Sequence, residues 1–165
     1  MVNGAPVARF DLIDHNGNPV SQATYMGRFL LVYFGFTHCQ VVCPRSLKKL
    51  SAILQRLGAE AMQITPLYIT VDPERDTPER MRTYLETNGY PFIGLTGKSD
   101  RIDAAKAAFR VFAERKSEGA DHPDGYSVPH TAIAYLMSPT GQYVDHYTDS
   151  IEESEIYLRI QHALS

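Results

Sequence analysis

Phe29-Leu-Leu-Val-Tyr-Phe-Gly-Phe36 runs directly into Thr37-His-Cys-Gln-Val-Val-Cys-Pro44. The first eight residues are apolar without the alternation of a half-exposed strand, which predicts a strand buried on both faces. Two cysteines four residues apart, Cys39 and Cys43, follow at once. Beyond Pro44, Leu47, Leu50, Ile53, Leu54 and Leu57 share one helical face, and Gly58 supplies the stop. Proline is favoured at the first helical position, where its missing amide costs no hydrogen bond, so Cys43 is expected at the N-cap. That puts both sulfurs at a helix N-terminus, in the loop after a core strand. In α/β folds this is the carboxyl end of the sheet, where ligands bind.

Reading outward, Leu67–Val71 is a second strand, and Thr77-Pro78 announces a helix that turns Met81, Tyr84 and Leu85 inward and stops at Gly89. A short strand follows. The next helix spans about Asp100 to Phe112, capped by Ser99, with Ile102, Ala105, Phe109 and Phe112 facing in. Residues 113–127 are polar and read as a loop. Thr131–Met137 and Gln142–Tyr147 read as strands joined by Ser138-Pro-Thr-Gly141. A capping box of Ser150 and Glu153 opens the last helix, which buries Ile156, Ile160 and Leu164. Residues 6–22 contain a small hairpin around Asn16-Gly17-Asn18. The expectation is an α/β, thioredoxin-like fold: a central mixed sheet flanked by helices, parallel except for a terminal hairpin. Residues 1–165 form a single domain in this reading, with 1–5 a flexible start.

Composition narrows the function. The chain has 165 residues, 44% hydrophobic and 21% charged, with a net charge of −3. That balance gives no reason to expect nucleic acid, and Lys48, Lys49 and Arg56 read as a solvated helix face. No run approaches the ~18 apolar residues of a membrane span, and the start lacks a signal-peptide pattern. The expectation is either a cytoplasmic protein or one whose anchor is absent from this chain. Two cysteines so close together suit a redox or metal couple better than a structural staple, because so short a loop adds little stability.

A helix N-terminus lowers a thiol pKa and favours thiolate, the reactive and metal-binding form. At this spacing the two sulfurs can close a disulfide or chelate one soft ion. Soft thiolates select Cu(I), and an added imidazole lets a site also hold Cu(II). Among six histidines, His15, His122 and His162 have loop or exposed-helix contexts, and His146 ends a strand. His38 adjoins Cys39 and could tune it; His130 opens the strand expected beside the cysteine strand. Pattern alone does not choose between them.

The sequence resembles the SCO/SenC family over nearly its whole length. The resemblance is carried by Phe10-Asp-Leu12 with Asn16-Gly-Asn18, by Leu31-Val-Tyr-Phe-Gly-Phe-Thr-His-Cys39 with Cys43-Pro44, and by Tyr68-Ile-Thr-Val-Asp-Pro-Glu-Arg-Asp-Thr-Pro78. It continues through Gly94-Leu-Thr-Gly97 and His130-Thr-Ala-Ile-Ala-Tyr-Leu-Met-Ser-Pro-Thr-Gly141. The resemblance implies copper held by Cys39, Cys43 and His130, with Cys39 and Cys43 also a redox pair. It further implies a domain anchored to the membrane and facing the periplasm. Its partner would be the copper-site subunit of cytochrome oxidase, or another periplasmic copper or thiol protein. Two departures stand out: Gln40-Val41-Val42 replaces the usual Pro-Asp-Val, and Pro129 replaces an aspartate before the histidine. An acidic neighbour would orient the ligand, so its loss shifts weight toward thiol chemistry. Pro129 also invites comparison with the cis-proline facing the cysteines of thioredoxin-like reductases.

Four functions compete on this reading. A copper chaperone comes first, and a thiol–disulfide oxidoreductase without obligatory copper second. A peroxidase fits less well, since Phe36 stands where peroxiredoxins carry threonine and Thr37 is one place off. A sensing module that binds copper without transferring it is the last. In the Asp72–Asp76 stretch, the two carboxylates with Arg75 between them are expected to hold the strand-to-helix turn beside the site.

Overall fold

The computed structural model describes residues 5–37, 42–111 and 133–165, leaving the side chains of Val42 and Cys43 outside that description. In chain order the elements are β1 (Asp11–Asp14), β2 (Pro19–Ser21), β3 (Phe29–Gly35), α1 (Val42–Leu57), β4 (Ile64–Thr70), α2 (Pro78–Asn88), β5 (Ile93–Thr96), α3 (Ser99–Phe109), β6 (Ile133–Met137), β7 (Tyr143–Thr148) and α4 (Glu153–Leu164). Their strands form one sheet in the order β2-β1-β5-β4-β3-β6-β7. The central pairs β3–β4 and β4–β5 are parallel, while β6 runs antiparallel to β3 and β7 antiparallel to β6. This is the expected thioredoxin-like fold.

β3 lies inside the sheet, between β4 and β6, and both of its faces are apolar. Leu30, Val32, Phe34 and Phe36 enter one core with α3, whereas Leu31 and Tyr33 enter the other with α1, α2 and α4. The period-2 alternation of strand side chains thus feeds two cores from one strand. On the α3 side, Phe34 meets Phe109 edge-on at 5.3 Å. On the other, Leu47, Leu50, Ile53, Leu54 and Leu57 of α1 are all buried, as their spacing predicts. The hairpin forms as expected. Asp14 Oδ1 accepts the amides of Asn16 and Asn18, both at 2.9 Å, and Gly17 takes φ 85°, which a side chain would resist.

Several local expectations are corrected. Helix α1 starts at Val42, two residues before Pro44, so the Cys43 backbone lies within the first turn and not at the N-cap. Pro44 is tolerated there because first-turn amides have no intrahelical partner anyway. Helix α3 is capped by Lys98 and not by Ser99, and it ends at Phe109 because Arg110 adopts φ 62°. The capping box on α4 does not form: Ser150 Oγ pairs with Thr148 Oγ1 at 3.0 Å, leaving Glu152 as an N-cap without a side-chain bond. Strand β6 is described from Ile133, so Thr131, Phe112 and residues 113–127 fall outside the described residues.

The basic cluster on α1 is more than a solvated face. Lys49 Nζ donates to the carbonyls of Asp149 and Ile151, each at 2.8 Å, and the Arg56 guanidinium lies 4.0 Å from the centre of the Tyr157 ring. Arg45 and Ser46 both bond the Asp149 carboxylate. These contacts clasp α1 to α4 and to the loop before it. The Arg45 guanidinium first, then Ser46 and Lys49, hold the Asp149 carboxyl below its ordinary value despite partial burial. A carboxyl lowered by folding stabilises above its unfolded pKa and loses that contribution as pH falls through its folded value. Asp149→Asn keeps an oxygen for the Ser46 hydroxyl and loses only the charge facing Arg45 and Lys49, so it is expected to cost at most about 1 kcal/mol at neutral pH. Denaturant titrations in acid should show that difference shrinking as pH drops below about 4.

Candidate metal and thiol site

The cysteine loop leaves the sheet at the end of β3. Gly35 is the last residue of that strand, Phe36 is buried, and Thr37 is the last described residue before Cys39. The chain is described again from Val42, where α1 begins. Parallel pairing from Phe29↔Ile64 to Gly35↔Thr70, extended by Val71 N–H donating to the Gly35 carbonyl at 2.8 Å, sets the ends of β3 and β4 side by side. On the other flank, Tyr33 pairs with Ala134, so the chain enters β6 next to where it leaves β3.

Three carboxyl-side strand ends are tied together by one residue, Asp76, through its carboxylate and its backbone carbonyl. Asp76 is fully buried. Its Oδ2 accepts the Thr37 amide at 3.1 Å and the Thr70 hydroxyl at 2.7 Å, and its Oδ1 accepts the Thr37 hydroxyl at 2.5 Å. Its backbone carbonyl takes the Thr96 hydroxyl at 2.8 Å, which brings in β5. Arg80, in the first turns of α2, donates from Nε to Thr37 Oγ1 at 2.7 Å and stands 3.7 Å from the Asp76 carboxylate. Burial pushes the Asp76 carboxyl above its ordinary value, against the pull of its threonine donors. Thr37, Arg80 and Tyr84 also line an open groove with Glu79 and Thr83.

Asp72 joins the cluster through Thr70 but takes a different arginine. It is buried, takes the Arg75 Nε donor, and its amide donates to Thr70 Oγ1 at 2.9 Å. The expected bridge from Arg75 across both aspartates is thus replaced by two partners: Arg75 for Asp72, and Arg80 for Asp76. Thr37, Thr70, Thr96 and Arg80 had no place in the sequence reading of this turn. The available signal was a threonine in the buried strand β4, two residues before an acidic loop, where a buried hydroxyl needs a partner.

Of the nominated donors, Cys39 and His130 lie outside the described residues, as do His38, Gln40, Val41 and Pro129. Cys43 is placed by its backbone in the first turn of α1. Among the described residues, no group of three His, Cys, Asp or Glu side chains comes together as a metal site. His15 accepts the Gly94 amide on Nδ1 at 3.0 Å, and His146 Nδ1 bonds the Tyr143 hydroxyl at 2.5 Å; both are structural contacts.

A family model, SCO1/SenC, matches residues 3–165. The chain belongs to the SCO1/SenC family. It is 38% identical over 149 residues to the mouse mitochondrial SCO1 homolog, covering 89% of this chain and 52% of that one. The human counterpart is 36% identical over the same length, with 89% and 49% covered, so this SCO1/SenC chain spans about half the length of those curated relatives. Bradyrhizobium japonicum ScoI, solved with copper bound, superposes with a TM-score of 0.82 at 33% identity, covering 96% of this chain and 99% of that one. Yeast Sco1, also solved with copper bound, gives 0.85 at 32% identity, covering 96% and 87%. Among the described residues no helix is long and apolar enough to cross a membrane.

Proposed function

We propose that this SCO1/SenC chain binds copper through Cys39, Cys43 and His130 and carries it to the copper centre of cytochrome oxidase during assembly. The observation that carries the reading is the adjacency of β3 and β6 in register Tyr33↔Ala134. Cys39 follows the end of β3 by four residues, and His130 precedes the start of β6 by three. Extended chain reaches at most about 3.6 Å per residue, so each donor stays within about 14 Å of its strand end. Cys43 enters from the first turn of α1. The donor set fits the cargo: two thiolates select Cu(I), and the imidazole extends the site to Cu(II). The positive end of the α1 dipole favours thiolate at Cys43. Three protein donors leave room for an incoming thiolate, so copper can pass by ligand exchange without being stranded. Relatives of similar fold solved with copper bound support the assignment. In this reading residues 1–165 act as one domain on the periplasmic side of the inner membrane.

A second reading is favoured by the fold and by Pro129 standing next to His130. Here the Cys39 thiolate attacks a target disulfide, forms a mixed disulfide and expels one target thiolate. Cys43 thiolate then displaces the second, leaving a reduced target and an oxidised Cys39–Cys43 pair. Anaerobic titration of the reduced protein with Cu(I) against a competing chelator, run in parallel on His130→Ala, separates the two. The copper reading predicts one-to-one binding that weakens by about a hundredfold in the variant. Weak binding, or binding indifferent to His130, would leave the thiol reaction alone.

A further inference from the structure

We propose that Asp76 and Thr37 position the cysteine loop, so that the copper affinity and thiol–disulfide balance of Cys39 and Cys43 are set by a buried carboxylate on the neighbouring loop. The inference rests on the copper and thiol site assigned above, and it concerns residues that do not themselves donate to copper.

Thr37 stands two residues before Cys39 and is held at both its polar groups. The amide donates to Asp76 Oδ2 at 3.1 Å and the hydroxyl to Oδ1 at 2.5 Å, while Arg80 Nε donates to the same hydroxyl oxygen at 2.7 Å. Both the donor and the acceptor capacity of the Thr37 hydroxyl are therefore used, which leaves its rotamer no freedom. Asp76 is in turn fixed by Thr70 from β4 at 2.7 Å and, through its carbonyl, by Thr96 from β5 at 2.8 Å. Thr37, the last described residue before Cys39, is thereby anchored to the centre of the sheet.

The fold alone does not call for this arrangement. β3 and β4 are already locked by seven paired positions and by the Val71–Gly35 bond. A buried carboxylate carries a desolvation cost that an apolar side chain in the same place would avoid. What the carboxylate adds, and an apolar residue could not, is a grip on the amide and hydroxyl of Thr37. Ligands are held to productive geometry by partners one step removed, and losing such a partner typically lowers metal affinity about 10- to 100-fold.

The test uses the reduced full chain, Thr37→Val, Thr37→Ser, Asp76→Asn, and Ile160→Val as a distant core change. Two readouts are taken: Cu(I) affinity by chelator competition, and the metal-free equilibrium with glutathione. In the latter the disulfide takes two electrons and two protons from two glutathione thiols, giving the dithiol and glutathione disulfide. Thr37→Val and Asp76→Asn are expected to bind Cu(I) about tenfold more weakly. A loosened loop brings the sulfurs together less often, so their glutathione equilibrium should move about tenfold toward dithiol, or about 30 mV. Thr37→Ser should recover most of both losses, and Ile160→Val should move neither. The proposal is overturned if Thr37→Val and Asp76→Asn match the parent in both readouts, or if Ile160→Val shifts them as far. A parent that binds no Cu(I) would sink the copper reading alone, and the glutathione equilibrium would then decide the positioning role.

Discussion

Cys39→Ser and Cys43→Ser are each expected to weaken Cu(I) binding by at least about a hundredfold, and the double variant to bind none at chelator-buffered concentrations. Structural metal sites with four protein donors gain about 10–16 kcal/mol, so one donor is worth roughly 3 kcal/mol, or more than two powers of ten. Serine keeps the shape of cysteine but offers a hard oxygen that is not ionised at neutral pH, so it is a poor match to Cu(I). Both single variants should unfold with the parent's denaturant midpoint. Chelator competition followed by equilibrium unfolding checks both halves. A serine variant that keeps the parent's affinity would remove that sulfur from the donor set.

Asp76→Ala is the stability counterpart. It removes the acceptor for three hydrogen bonds, from the Thr37 amide, the Thr37 hydroxyl and the Thr70 hydroxyl, where Asp76 and Thr70 are fully buried and Thr37 half-buried. At about 1 kcal/mol for each stranded donor the loss is about 3 kcal/mol, read as a lower urea midpoint at unchanged slope. Asp76→Asn keeps an acceptor for two donors and should lose about 1 kcal/mol. The pH dependence has a definite sign. Burial raises the Asp76 carboxyl above 3.8, so the folded state holds this proton more tightly than the unfolded chain. Stability from the site is then greatest below the unfolded pKa and falls as pH rises through the raised folded value. The gap between parent and Asp76→Ala should therefore be wider at about pH 4 than at about pH 7. A gap that widens toward neutral pH would instead mark an ion pair with Arg80 as the dominant interaction.

The helices and central strands were legible because their signals are strong and local. The run 29–36 has no polar break, and the α1 leucines and isoleucine recur at helical spacing. Thr77-Pro78 and Gly89 bracket α2 as a side-chain cap and a left-handed stop, φ 69°. Caps were read less well, because a hydroxyl has more than one partner within reach. Ser150 satisfies Thr148 in place of the α4 amides, and the capping box that does form uses Ser21 and Thr24 on a short 3-10 turn. The Asp76 hub was half legible. Asp76 and Arg80 lie four residues apart in one turn, but Thr37 is 39 residues away and Thr96 is 20 away. Only the parallel packing of β3, β4 and β5 brings those hydroxyls to one residue, Thr37 to the Asp76 carboxylate and Thr96 to its backbone carbonyl, and no local pattern encodes such a meeting. For the site itself, the thiol pair was visible from spacing alone, while His130 was singled out by the family resemblance and not by any periodicity.

The most direct test of the central claim is the copper X-ray absorption spectrum of the Cu(I)-loaded protein, beside that of His130→Ala. The parent is expected to show a first shell of two sulfurs and one nitrogen, with the nitrogen and its imidazole scattering lost in the variant. A shell of sulfur alone, identical in both proteins, would contradict it.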